Sequence, residues 1–372
     1  MQYLIFCLLV ISSICHASFD ATIPVIDMND YYSKNRHQQF INDLRVAMQD
    51  IGFVAIINSR VDKQILDQAY AAAKTFYAQP LEFKLLGNDP KLNGQRGYVQ
   101  SETAKGQVKK DYKEFYHIAR DYPAQINQKF GYPVNIWPAE DGFKPAMQQL
   151  IIELDKYVAD IEAALAESIG EKPEFFTAMT RHGTYLLRSI HYPANPPADS
   201  IWASAHTDID LFTILPRATA DGLQLLNSKD EWVDVVVPDN AFIINAGDML
   251  QNITNGVYKS AKHRVVSNKK NIERYSMVAF IHPRPTDRMD PLAKFITQVG
   301  SQKFANLSQQ EMLSERLIDL GLNSPELLQQ FAKSGAIERL IAVKRASPTA
   351  MRALRDAKLA SHTVIKELEK SD

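Results

Sequence analysis

Apolar and polar positions change rhythm twice along the chain. Residues 21–30, ATIPVIDMND, read as a strand running into a turn. Phe40, Ile41, Leu44 and Met48 then recur at helical spacing across Gln38–Asp50, and Gly52–Ile57 reads as a second strand. Amphipathic helical patterns follow over Asp62–Tyr77, stopped by Pro80, and over Gln148–Ala166, with Pro145 near its start. From Thr184 the rhythm shortens. Tyr185–Tyr192, Leu211–Leu215, Leu223–Leu226, Trp232–Val237, Phe242–Asn245, His263–Ser267 and Arg274–Ile281 are β-rich runs separated by Pro, Gly, Asn and Asp. From about Ser308 the pattern is helical again, broken at Ser347-Pro348, and reads as solvated helices packed on the β core. No internal repeat and no low-complexity tract interrupts this order. The fold class predicted is mainly β with flanking α, built on a jelly-roll type core.

At 372 residues the chain can bury a sizeable core. Its 42 Lys and Arg balance 43 Asp and Glu, so no global field draws in nucleic acid or an anionic membrane, and a small molecule is the default partner. The apolar run Tyr3–Ile14, followed by Cys15-His16-Ala17, reads as a secretory signal peptide over residues 1–17 and is too short to span a bilayer. A periplasmic or secreted location follows, with a cytoplasmic one as the alternative. Starting instead at Met28 would remove the strand at Ile23–Ile26, which argues for the longer chain. Both cysteines, Cys7 and Cys15, lie in the leader, so the processed chain needs neither disulfide nor thiol chemistry.

The chemistry concentrates in three residues. His206-Thr207-Asp208 opens a strand, where side chains two apart share a face, so one imidazole and one carboxylate converge. His263 supplies a third ligand. Two His and one carboxylate leave open positions on a metal, the arrangement of non-haem iron(II) oxygenases. After His263 a turn at Asn268–Asn271 and a return strand suggest a hairpin that sets Ser276 opposite His263, with Arg274 on the same face as Ser276. An Arg fork and a hydroxyl suit the distal carboxylate of 2-oxoglutarate, which is costly to bury unpaired.

These residues resemble the isopenicillin N synthase-like family of 2-oxoglutarate and iron(II) dependent dioxygenases, over most of residues 22–285. Ile23-Pro24-Val25-Ile26-Asp27 is similar to the family's opening, and Gly52–Asn58 to its second strand. Gly97-Tyr98, Lys113-Glu114-Phe115-Tyr116, the stretches around Gly222 and Trp232, Asn245-Ala246-Gly247-Asp248 and the run into His263 follow in the family's order. The resemblance implies a double-stranded β-helix core with an N-terminal helical region. It implies iron held by His206, Asp208 and His263, with 2-oxoglutarate bound by Arg274, Ser276 and Tyr192. Tyr192 stands in Ile190-His191-Tyr192-Pro193, where the family has Asn-Tyr-Tyr-Pro, and His191 points to the opposite face.

The implied reaction uses Fe(2+), 2-oxoglutarate and O2, with ascorbate as an accessory reductant. A small organic substrate is hydroxylated, desaturated or cyclised, and succinate and CO2 are released. The competing readings are a 2-oxoglutarate-independent oxidase of the isopenicillin N synthase type, a non-catalytic ligand-binding protein on the same fold, and a zinc hydrolase, for which no general base stands nearby. The expected organisation is a leader at 1–17, an N-terminal dioxygenase region at 22–140, the double-stranded β-helix domain at 141–290 and a C-terminal helical extension at 291–372. The family's substrate pocket maps onto Tyr98, Phe115, Tyr116 and Phe280, which serve equally well as core. His16, His37, His117, His182, His282 and His362 lack ligand spacing and read as structural or surface residues.

Overall fold

The computed structural model describes residues 23–103, 110–198, 200–267 and 272–370. The leader and the turn expected at Asn268–Asn271 lie outside them. Among the described residues twelve strands form two sheets. β1 (Val25–Asp27), β2 (Phe53–Ile57), β3 (Gly97–Val99), β4 (Glu114–Ala119) and β5 (Tyr185–Tyr192) precede β6 (Ala203–His206), β7 (Phe212–Pro216) and β8 (Leu223–Leu226). β9 (Trp232–Asp234), β10 (Phe242–Ala246), β11 (His263–Val265) and β12 (Arg274–Ile281) complete the set. The major sheet runs β1-β2-β10-β7-β12-β5-β4-β3 and the minor one β6-β11-β8-β9. All pairings are antiparallel except β1 with β2.

Both faces of the major sheet are buried, and strand parity divides its side chains between two cores. Ile190 and Tyr192, with Phe53, Ala55, Phe115 and Ile243, pack inward against Trp202, Leu223, Leu225 and Val265 of the minor-sheet side. Leu187, Met277, Ala279, Val54 and Ile244 face outward onto the helices. The helix Phe143–Ser168 covers that outer face because Met147, Leu150, Leu154, Val158 and Ile161 recur every three or four residues. Each such buried side chain contributes about 1.5–3 kcal/mol. The helix Lys63–Tyr77 lies beside it and starts where the Asp62 carboxylate accepts from the Gln64 amide at 2.8 Å. No described helix is long and apolar enough to cross a membrane.

Two expectations are corrected. β11 and β12 do not form a hairpin: His263 pairs with His206 and Leu225, whereas Ser276 pairs with Ile190. β12 buries Tyr275, Met277 and Ala279 under helices and Arg274 and Ser276 inward, so it belongs at the centre of the major sheet. Alternation along a strand is the same whichever partner it takes, so the pattern could not choose. The second correction concerns Asp208, which lies beyond the end of β6 and is aimed by a loop rather than by alternation. The C-terminal part is helical as expected, and Ser347-Pro348 starts a helix, with the Ser347 hydroxyl accepting from the Ala350 amide at 3.3 Å.

Gly52 joins the helix His37–Asp50 to β2 at φ +82°, and a Cβ there would stand 1.9 Å from the Lys259 carbonyl oxygen. Gly52→Ala is therefore expected to destabilise the protein by about 1–3 kcal/mol or more, read as a lower urea midpoint at unchanged m-value. An unchanged midpoint would contradict this packing.

Candidate active site

The three ligands expected from the sequence converge: one ligand atom each from His206, Asp208 and His263 lies within 4.8 Å of the others. β6 and β11 pair His206 with His263, setting the imidazole centroids 4.4 Å apart. The His206 Nδ1 donates to the Ser204 carbonyl at 2.7 Å, and the His263 Nδ1 donates to the Ala261 carbonyl at 3.2 Å. A carbonyl can only accept, so each Nδ1 carries the proton and each Nε2 keeps a lone pair. Both Nε2 atoms are 3.7 Å from Asp208 Oδ1. That is too long for a hydrogen bond and suits atoms sharing one ion at about 2.0–2.2 Å.

The other oxygen of Asp208 is spoken for. Oδ2 accepts from the Thr213 hydroxyl at 2.7 Å and the Asn245 amide at 2.8 Å, so Oδ1 is left facing the imidazoles. Thr213 of β7 and Asn245 of β10 are cross-strand partners, which is why both reach the same oxygen. Burial alone would raise the Asp208 pKa, yet His263, His206 and these two donors hold it down at about 2. Burial, followed by the neighbouring His263, brings His206 down to about 4. His206 is thus neutral beside an ionised Asp208, and together with Nε2 of His263 they make a donor set suited to a divalent cation.

Asp210 completes the support. Thr213 Oγ1 stands 2.7 Å from Asp208 and 2.8 Å from Asp210, but its hydroxyl has one proton to give. Burial first, and Asp208 second, push the Asp210 carboxyl well above its usual range. A protonated Asp210 donates to Thr213, which donates to Asp208.

A second chain of contacts comes from the N-terminal region. Lys113 binds Glu102 at 2.7 Å and Asp111 at 2.9 Å, and Asp111 Oδ1 accepts from the Ser204 amide at 3.0 Å and hydroxyl at 2.6 Å. Ser204 in turn orients His206. The C-terminal extension does more than coat the barrel. Arg316, on the helix Gln309–Asp319, donates to the Thr207 carbonyl at 2.7 Å and pairs with Asp248, clamping the residue between His206 and Asp208.

Arg274 and Ser276 face inward as expected, cross-strand from Tyr192 and Ile190. The Arg274 Nε donates to the Ala220 carbonyl at 3.0 Å, and its guanidinium stands 4.9 Å from the centre of the Tyr192 ring. Arg274 Nη1 and the Ser276 hydroxyl are buried with no hydrogen-bond partner. Two neighbouring orphaned donors are a receiver for a carboxylate. His191 points outward to Glu114 at 2.8 Å, the structural role expected of it.

A cavity of about 680 Å³ opens onto His206 and Asp208. Phe115 and Phe280 line it, whereas Tyr98 and Tyr116 belong to the core under the helices. Arg274, Ser276 and Tyr192 are not among its lining residues; they sit in the tighter layer between the sheets. His117 and His282, read from sequence as structural or surface residues, both line the cavity, and neither joins the metal cluster.

Removing the donors behind Asp208 tests the geometry. Thr213→Val is expected to weaken cobalt(II) affinity of the folded protein about 10–100-fold, read by spectroscopic titration, and to lower the unfolding midpoint because Asp208 and Asp210 lose a buried hydroxyl. Unaltered affinity would mean that Thr213 does not orient the carboxylate.

Residues 183–283 match the 2OG-Fe(II) oxygenase superfamily, and residues 23–140 match the family described as non-haem dioxygenase in morphine synthesis N-terminal. The 2-oxoglutarate-dependent dioxygenase traH of Penicillium crustosum is 30% identical over 307 residues, covering 77% of this chain and 93% of traH. A solved structure from Caulobacter crescentus, of a protein assigned to the 2OG-Fe(II) oxygenase family, superposes with a TM-score of 0.72 at 31% identity. The match covers 80% of this chain and 99% of that one. JOX2, solved with 2OG, Fe and JA, gives a TM-score of 0.67 at 25% identity over 79% of this chain and 85% of its own. The core is the double-stranded β-helix of these proteins. The chain belongs to the 2OG-Fe(II) oxygenase superfamily and is an iron(II)- and 2-oxoglutarate-dependent dioxygenase.

Proposed function

We propose that His206, Asp208 and His263 hold the iron, that Arg274, Ser276 and Tyr192 hold the distal carboxylate of 2-oxoglutarate, and that the enzyme falls in the isopenicillin N synthase-like subfamily. The carrying observation is that three convergent ligand atoms and two orphaned buried donors share the space between the same two sheets. The N-terminal match and the opening at Ile23–Asp27 support the subfamily.

Iron(II) with bound 2-oxoglutarate supplies oxygen activation, the co-substrate leaving as succinate and CO2 as the organic substrate is oxidised. The chain's part is orientation. Nε2 of each histidine and Oδ1 of Asp208 would hold the ion, and three protein ligands would leave it able to take further ones. The Arg274 fork and the Ser276 hydroxyl fix the far end of the co-substrate and so set which way its other end points. Tyr192 backs the guanidinium with its ring and, with Trp202 5.4 Å away, keeps water from that layer. The substrate occupies the wide cavity between Phe115 and Phe280, where a C–H bond is hydroxylated, desaturated or drawn into a ring.

Purified protein with iron(II), ascorbate and 2-oxoglutarate is expected to form succinate, and His206→Ala to form none. Arg274→Met is expected to raise the KM for 2-oxoglutarate about 10–100-fold, the loss of charge-assisted hydrogen bonds of about 1.5–3 kcal/mol. An unchanged KM would place the carboxylate elsewhere.

Export through the leader at residues 1–17 is part of the same proposal, supported by the apolar run Tyr3–Ile14 and by both cysteines falling within it. N-terminal sequencing of protein recovered outside the cytoplasm should begin at Ser18. Intact Met1 in a purely cytoplasmic pool would refute export.

A further inference from the structure

Four arginines bear on the interior of the site, and their partners differ. Arg188 is satisfied: it pairs with Glu102 at 2.8 Å and donates to His117 Nε2 at 2.6 Å, with its guanidinium 4.3 Å from the centre of the Phe115 ring. Arg316 is held by Thr207 and Asp248. Arg274 has the orphaned Nη1 already assigned to the co-substrate. Arg96 is the fourth, and it lines the wide cavity rather than the layer between the sheets.

Arg96 is 5% exposed. Among the described residues its one hydrogen bond runs from Nη1 to the carbonyl of its own neighbour Gln95 at 2.7 Å, and its Nε is buried with no partner. The anionic group nearest to it in influence, Asp121, is committed to the amides of Asn135 at 2.7 Å and Gln148 at 2.9 Å. Among the described residues no carboxylate lies within ion-pair distance of Arg96. Burial pulls its pKa down to about 10, so it remains a cation at neutral pH with no ion-pair partner among the described residues. A lone buried charge is costly, and such a group is kept where something pairs with it.

The position is also rigid. Arg96 precedes Gly97, whose φ is +79°, and a Cβ at Gly97 would stand 2.0 Å from the Gly87 carbonyl oxygen, so the backbone there is locked against a neighbouring loop. A further unpartnered nitrogen belongs to a residue of the same cavity: Nδ1 of His282, just past the end of β12. His282 is 8% exposed. Two elements distant in sequence thus each bring a buried, unsatisfied nitrogen to one chamber, whose wall also carries the apolar Phe115, Phe280, Leu186 and Leu313 beside charged residues, of which Arg188 pairs with Glu102, Lys113 with Asp111 and Arg316 with Asp248.

We propose that Arg96, assisted by His282, receives a carboxylate of the organic substrate, so that this dioxygenase oxidises a monocarboxylic acid with an apolar body. Lys113, Arg188 and Arg316 of the same wall are already paired with carboxylates, so the Arg96 guanidinium matches a single planar negative charge, whereas a phosphate dianion calls for more cations. The apolar body lies against Phe115 and Phe280, toward His206 and Asp208. Arg274 and Arg96 then divide two carboxylates between them, co-substrate on one side of the metal centre and substrate on the other. The proposal rests on the iron and 2-oxoglutarate reading above.

The test uses the anaerobic holoenzyme loaded with iron(II) and 2-oxoglutarate, followed by the visible charge-transfer band of the chelate and by calorimetry. The probes are 3-phenylpropanoate and octanoate, each beside its uncharged amide. Wild type is expected to bind each acid at least about tenfold more tightly than its amide, the scale of one charge-assisted hydrogen bond. Arg96→Met should abolish that preference, Arg96→Lys should restore part of it, and both variants should keep the wild-type band and 2-oxoglutarate affinity. A holoenzyme with a normal band that does not prefer either acid overturns the proposal alone, as does an Arg96→Met variant that keeps the preference or loses 2-oxoglutarate instead. A wild-type protein that forms no band on addition of iron(II) and 2-oxoglutarate overturns the reading beneath it, and this proposal falls with it.

Discussion

The buried carboxylate of Asp208 ties the two sheets of this protein to one point. One of its oxygens is pinned by Thr213 and Asn245 from adjacent strands of the major sheet, and the other faces two imidazoles carried by the minor sheet. Burying a carboxylate is unfavourable unless its lone pairs are met, so the two donors on one side and the two imidazoles on the other define where a cation would sit. Other contacts extend from this point. Ser204 and Ala261 fix the histidine tautomers, Asp111 fixes Ser204, and Arg316 holds the loop between His206 and Asp208 from the C-terminal extension.

The same rule of paired and unpaired charge sorts the arginines of the interior. Those with acidic partners, Arg188 and Arg316, hold the walls of the site together. Those with orphaned nitrogen atoms, Arg274 and Arg96, lie in separate compartments, one between the sheets and one on the wide cavity. A site that must orient two organic molecules around one ion gains specificity when each end group has its own receiver.

Much of this was legible in the sequence. The runs Tyr185–Tyr192, Leu223–Leu226 and Arg274–Ile281 coincide with strands because their lengths are bounded by turn residues on both sides. The metal-binding candidates were legible because two histidines and an aspartate stand among apolar runs, and Arg274 and Ser276 because two positions apart on a strand share a face. Strand partners were not legible. His263 joins β6 and β8 because β12 is buried on both faces, a fact of the assembled sheets and not of either strand's own pattern. The supporting residues were half visible: Asn245, a polar residue inside the apolar run Phe242–Ala246, carries a signal, whereas Arg96 and His282 gain their meaning only from what fails to pair with them. The C-terminal helices looked like a solvated coat because the contact of Arg316 with Thr207 spans 109 positions of chain.

The most direct measurement is anomalous diffraction from crystals grown anaerobically with iron(II) and 2-oxoglutarate. The result expected is one iron peak bonded to Nε2 of His206, Oδ1 of Asp208 and Nε2 of His263, with the distal carboxylate of 2-oxoglutarate on Arg274 and Ser276 and Arg96 left free for substrate. Iron bound elsewhere, or 2-oxoglutarate seated on Arg96 in place of Arg274, would contradict it.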